Sequence, residues 1–267
     1  MTSIHFKIYE LVAVLSCTFV LIAHSKPTAS FNPSQWELSW SDEFDYTGKP
    51  NPEIWDYEHG YLGFNEELQN YTDHPDNVRV VDGILIIEAH LKDVSAQRSR
   101  AIVKELKGSN AKTDLLGTQE FTSARLITRG KKEFVHSRVE ARARFTTGRG
   151  TWPAIWLLGD ESKNPWPLCG DMDIMEHVGY DDGMIHGSIH TEEYNHMSNT
   201  QKSGSKFLST ATDSFHVYSL EWSPNYLRYL IDNEPYFFVY NDSNGDPKKW
   251  PFDEPVSYTH LTLPTKA

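Results

Sequence analysis

The chain has 267 residues, a formal net charge of −12 and 13% aromatic residues, eight of them Trp. That length supports one sizeable core, and an acidic chain with no basic run beyond Lys131-Lys132 or Lys248-Lys249 excludes nucleic acid and anionic membrane as partners. The aromatic excess suits neutral sugars, whose apolar ring faces lie on Trp or Tyr while carboxylates and amides bind the hydroxyls.

At the N-terminus, Leu11 to Ala23 is an apolar run preceded by Lys7 and ending at the small-x-small pattern Ala23-His24-Ser25. It is too short to span a bilayer and reads as a secretory signal peptide over residues 1–25, so the expected location is extracellular. Residues 26–35 form a Pro/Ser linker, and residues 36–255 form one domain. Cys17 leaves with the leader and Cys169 remains alone, which predicts no internal disulfide and a buried, unreactive thiol.

Short strand-like runs then recur between turn residues. Val78 to Val81 and Ile84 to Ala89 flank Asp82-Gly83, a strong hairpin signal. Ala96 to Leu106 is the one stretch with helical character, inside a surface insertion. Further strands are expected at Ala124 to Thr128, Ser137 to Phe145, Gly170 to His177, Ile185 to Thr191, His216 to Trp222 and Leu227 to Ile231. Many short strands without a βαβ rhythm mean an all-β sandwich or barrel.

Asp171-Met172-Asp173-Ile174-Met175-Glu176 carries the chemistry. Its acids are separated by large apolar residues, so it reads as a half-buried strand rather than a solvated acidic loop. Asp171 and Asp173 share a face by alternation. Glu176 would point the other way unless an extra residue at Ile174-Met175 makes a β-bulge, a device that re-aims side chains next to active sites. Carboxylates gathered this way cannot all ionise freely, so one keeps its proton beside an ionised neighbour. Glycoside hydrolysis needs that pair. The alternatives are a structural acidic cluster or a hard-cation site, whose ligands usually sit on polar loops.

The chain resembles glycoside hydrolase family 16, in its laminarinase-like (endo-β-1,3-glucanase) branch. The resemblance rests on Trp40-Ser41-Asp42-Glu43-Phe44, Asn65-Glu66-Glu67-Leu68-Gln69-Asn70-Tyr71, Gly150-Thr151-Trp152-Pro153-Ala154-Ile155-Trp156, the acidic strand, His186-Gly187-Ser188-Ile189-His190-Thr191 and Phe215 to Trp222. It implies a β-jelly-roll (concanavalin-like) sandwich of two antiparallel sheets, with a concave face that holds an extended glucan and cleaves it with retention. The family pattern is Glu-x-Asp-x-x-Glu. Asp173 and Glu176 match it as the supporting carboxylate and the general acid/base, whereas Asp171 stands where the nucleophilic Glu belongs. The departure implies a working site with reduced turnover.

The resemblance also places Asn65, Trp152, Trp156 and Trp166 near the sugar subsites. His190 alternates with His186 and Ser188 on a neighbouring strand and is expected to position or tune Glu176 from beside it, whereas His177 should face away and pack. His186, His190 and His196 have no specific metal-ligand spacing, so no metal site is assigned. No cofactor is required for catalysis; a structural Ca²⁺ that some relatives carry would correspond to Glu43 and the Gly83 carbonyl, but the late Asp that completes such a site is not recognisable here. The expected partner is a β-1,3-glucan or mixed-linkage glucan, met by a monomer; the alternative is a non-catalytic β-1,3-glucan recognition protein. Residues 256–267 depart from the family pattern and read as a foreign tail on a jelly roll truncated at its C-terminus.

Overall fold

The computed structural model describes residues 2–11, 36–93 and 119–261. The expected helix at Ala96 to Leu106, the linker and most of the leader lie outside the described residues. The chain runs through Thr2–Leu11 (β1), Trp36–Asp42 (β2), Asp56–Glu58 (β3), Gln69–Tyr71 (β4), Val78–Val81 (β5), Ile84–Ile87 (β6) and His90–Asp93 (β7). Gln119–Ser123 (β8), Arg125–Ile127 (β9), Glu133–Phe134 (β10), Ser137–Arg144 (β11) and Ala154–Gly159 (β12) follow. Asp171–His177 (β13), Met184–His190 (β14), Lys202–Phe207 (β15), His216–Trp222 (β16), Tyr226–Ile231 (β17), Glu234–Tyr240 (β18) and Val256–Leu261 (β19) come last.

Two eight-stranded sheets carry the fold. The first runs β18-β17-β16-β11-β1-β6-β5 with β2 also on β1; the second runs β15-β14-β13-β12-β19-β9-β3 with β10 on β19. Their pairings are antiparallel, as expected for a jelly roll. A small third sheet, β4-β8-β7, contains the one parallel pairing among the described residues, between β4 and β8.

Alternation decides which side chains lie between the sheets. Val139, Ala141 and Ala143 of β11 and Tyr218, Leu220 and Trp222 of β16 are buried together with Leu157 of β12, Met172, Ile174 and Met175 of β13, and Ile185 and Ile189 of β14. On the opposite face of β11, Arg138 is fully buried, its guanidinium donating to Glu140 Oε1 at 2.8 Å and Asn233 Oδ1 at 2.6 Å and pairing with Glu221. A charge can be buried there because Glu221, on the neighbouring strand, is buried with it and pairs with it. The Asp82-Gly83 hairpin forms as expected, both residues at positive φ (50° and 76°), the backbone a two-residue type I′ turn demands.

The first and last described strands both enter the sheets. Thr2–Leu11, within the expected leader, pairs with β11 on one side and with β6 and β2 on the other. Val256–Leu261 is not a tail outside the fold: it pairs with β12 from Ala154↔Leu261 to Gly159↔Val256 and also meets β9 and β10. The physical reason is visible in Val256-Ser257-Tyr258-Thr259, a β-prone alternation beside an otherwise unpaired edge of β12.

Candidate active site

The acidic strand bulges where the sequence requires it. Asp173 pairs with Ser188 and Glu176 with His186, so Ile174 and Met175 together oppose Gly187 alone. The same slip occurs against β12, where Trp156 pairs with Asp173 and Ile155 with Met175. Met172, Ile174, Met175 and His177 turn to the interior, which leaves Asp171, Asp173 and Glu176 on the other face. Gly187 answers the bulge from below: a Cβ there would stand 2.6 Å from Tyr236 Oη and 2.9 Å from Tyr229 Cδ1.

Each acid has its own donor. Trp152 Nε1 donates to Glu176 Oε1 at 2.9 Å, and Trp166 Nε1 to Asp171 Oδ2 at 3.2 Å. Ser188 Oγ donates to Asp173 Oδ2 at 2.5 Å, and His190 Nε2 lies 3.2 Å from that same oxygen. His196 stands edge-on to His190 with ring centroids 5.0 Å apart, and Trp166 packs against both.

Burial, reinforced by the Asp173 charge, pushes the Glu176 carboxyl up to about 8, against the pull of the Trp152 N–H. Burial and then Asp173 also hold the Asp171 carboxyl well above the usual range, although Trp166 and Arg125 oppose them. At neutral pH the face thus keeps a protonated Glu176, a carboxylic acid able to give up a proton.

Residues 92–263 match the family profile described as Glycosyl hydrolases family 16. The chain belongs to this family. That span includes β19, in keeping with its place in the sheet. A β-glucanase of Rhodothermus marinus is 44% identical over 237 residues, covering 85% of this chain and 74% of its own length. The X-ray structure of the laminarinase from Rhodothermus marinus superposes with a TM-score of 0.73 at 42% identity, covering 85% of this chain and 86% of its own. A glucan endo-1,3-β-glucosidase of Cryptopygus antarcticus is 33% identical over 232 residues, covering 82% of this chain and 78% of its own.

Within this family 16 domain, Trp152 and Trp156 pack with Leu62 around Tyr71 and Ala154, on the side of the sheet that bears the acids. Asn65 is exposed at φ 52° in the short turn Phe64–Glu66 and bonds to none of the three acids. His177 packs as expected: it is fully buried, stacks on Phe145 at 6.0 Å and accepts from the Gly183 N–H at 3.0 Å. Cys169 is buried, and burial pushes its thiol up to about 12, so it is inert at neutral pH. Glu43, the expected calcium ligand, lies 3.6 Å from Lys7 Nζ, which already supplies positive charge there.

Arg125 was not expected. It is buried on β9, its guanidinium 4.7 Å over the Trp156 ring and its Nε 3.4 Å from Glu58. Only its place in Ser123-Ala124-Arg125, next to an apolar strand, could have signalled a cation held inward. Ser188 was legible through its alternation with His186 and His190, but the bond to Asp173 was not.

Proposed function

We propose that this chain is a secreted, retaining endo-β-1,3-glucanase that hydrolyses internal glucosidic bonds of laminarin-like or mixed-linkage glucans. The observation that carries the reading is the Ile174-Met175 bulge, which brings a protonated Glu176 onto the face that bears Asp171 and Asp173. In the first step Glu176 protonates the glycosidic oxygen as a carboxylate oxygen of Asp171 attacks the anomeric carbon. The C–O bond breaks and a glycosyl ester of Asp171 forms. In the second step Glu176, now ionised, takes a proton from water, whose oxygen attacks the anomeric carbon and frees Asp171. Asp173, held by Ser188 and His190, is the fixed charge between the two. Side chains supply both proton transfer and nucleophile, so the reaction calls for no cofactor, and the enzyme works as a monomer.

Turnover is reduced for two reasons. Asp withdraws the carboxylate by one C–C bond relative to Glu, about 1.5 Å, and a misplacement of about 1 Å can lower a rate on the order of a hundredfold. Asp171 must also be ionised to attack, yet burial favours its protonated form. The sugar contacts fall to Trp152, Trp156 and Trp166, with Arg125 braced on Trp156 and Asn65 on the outlying turn. The shortened Asp171 is also what a non-catalytic glucan receptor would tolerate.

The deciding experiment measures reducing-end release from laminarin, lichenan and agarose, with Glu176→Gln as control and the anomer of the first product read by NMR. Release from laminarin with retention, abolished in Glu176→Gln, is the expected result. Binding without release identifies the receptor instead.

A further inference from the structure

We propose that Asp171, Asp173 and His190 form a site for one divalent transition-metal ion of the zinc class, and that ion and glucan exclude each other. The ion site stands on the geometry alone; the exclusion rests on the hydrolytic reading above. One ligand atom from each of these three buried side chains lies within 4.8 Å of the others. Tetrahedral ligands at about 2.1 Å from zinc stand about 3.4 Å apart, so small side-chain rotations would close the set.

A second observation points to a cation. Asp171 is 93% buried, since its relative exposure is 7%, and its Oδ1 has no hydrogen-bond partner. The other oxygen, Oδ2, is held by the Trp166 indole. A buried carboxyl oxygen with no hydrogen-bond partner is costly, and an ion bound there would relieve it. The supporting shell is of the kind metal sites use: Trp166 orients Asp171, and Ser188 orients Asp173. His190 presents Nε2 beside Asp173, 3.2 Å from its Oδ2.

The donor set selects the ion. One imidazole with two carboxylates suits zinc, copper or nickel, whereas calcium takes six to eight oxygens and magnesium keeps its waters. A position left open for water completes four-coordination. An ion so bound would engage the nucleophile, so zinc acts as a glucan-competitive inhibitor.

Calorimetry on the metal-free full chain in the Glu176→Gln background, which retains all three ligands and cannot turn substrate over, tests this. Zinc chloride should bind one-to-one, magnesium and calcium chloride should give no saturable heat, and saturating laminarin should weaken zinc at least tenfold. His190→Ala and Asp171→Asn should each weaken zinc at least tenfold, with melting curves confirming that both are folded; Cys169→Ser should leave it unchanged. Absence of one-to-one zinc binding, undiminished binding in Asp171→Asn, equal binding of magnesium, or indifference to laminarin would overturn the proposal. Zinc failing to bind while laminarin is still cleaved by the parent chain would remove this site and leave the hydrolase reading intact.

Discussion

The indole of Trp152 and the carboxylate of Glu176 are joined by a 2.9 Å hydrogen bond that spans twenty-four residues of sequence. A residue expected only as a sugar platform therefore also tunes the proposed general acid. A hydrogen bond to the ionised form lowers a carboxyl's pKa, so Trp152→Phe should raise that of Glu176 further above its value of about 8. The loss of a bond to a charged group, about 1.5 kcal/mol, corresponds to roughly one pH unit. The alkaline limb of the kcat profile on laminarin should move up by that amount. A raised KM with an unmoved limb would restrict Trp152 to sugar stacking.

Restoring the longer nucleophile is the most direct test of the departure at residue 171. Asp171→Glu should raise the rate of laminarin hydrolysis at least tenfold, on the order of what an ångström-scale misplacement costs. Asp171→Asn should abolish it. Equal rates for the Asp and Glu forms would mean that the backbone already compensates for the missing methylene.

The raised carboxyls also set how stability varies with pH. Glu176 is raised from 4.5 to about 8 in the folded chain, and Asp171 is raised as well. The protonated form is thus the one the fold prefers, and ionising it works against folding. The folded state is favoured below about pH 4.5 by this group, and that advantage is lost as pH rises through about 8. Melting temperatures between pH 5 and pH 8.5 should fall less in Glu176→Gln than in the parent chain. Parallel curves would show that Glu176 titrates normally.

Gly187 lies under the bulge, where an added methyl would meet Tyr236 and Tyr229 at 2.6 and 2.9 Å. Gly187→Ala should destabilise the protein by about 2 kcal/mol, within the range for overpacking a close-packed interior. Because Ser188 follows it and holds Asp173, activity on laminarin should fall with stability. Urea unfolding is the measurement; an unchanged midpoint would show that the two tyrosines yield.

Sequence legibility differed by element, for physical reasons. The Asp82-Gly83 hairpin and the bulged acidic strand were visible because each depends on local chemistry: residues that accept positive φ, and acids spaced by core residues. Strand β15 was not visible, because Lys202-Ser203-Gly204-Ser205-Lys206-Phe207 is a polar edge strand with alternation but little apolar content. Strand β18 was obscured by Pro235 and by an Asp232-Asn233 turn at φ 50° and 67°, which lacks the usual glycine. At the site, alternation placed Ser188 and His190 on one face of the neighbouring strand, but His190 meets Asp173 rather than the expected Glu176, because Glu176 lies past the bulge opposite His186. The Trp166–Asp171 bond closes a five-residue loop that has no strand period to reveal it, and the Arg125–Trp156 contact joins distant segments that no local pattern relates.

Strand β1 sits inside its sheet, with β11 along one edge and β6 and β2 along the other. The same ten residues carry the opening of what reads as an export address. If a signal peptidase cuts after Ser25, the strand departs with the leader, and two backbone edges that had been neighbours to it lose their ladder. Such a cut would be a refolding event at the seam of the sheet rather than a simple trim, and the intact mass of the protein recovered from cells and from medium, alongside its melting curve, would reveal whether the cut occurs.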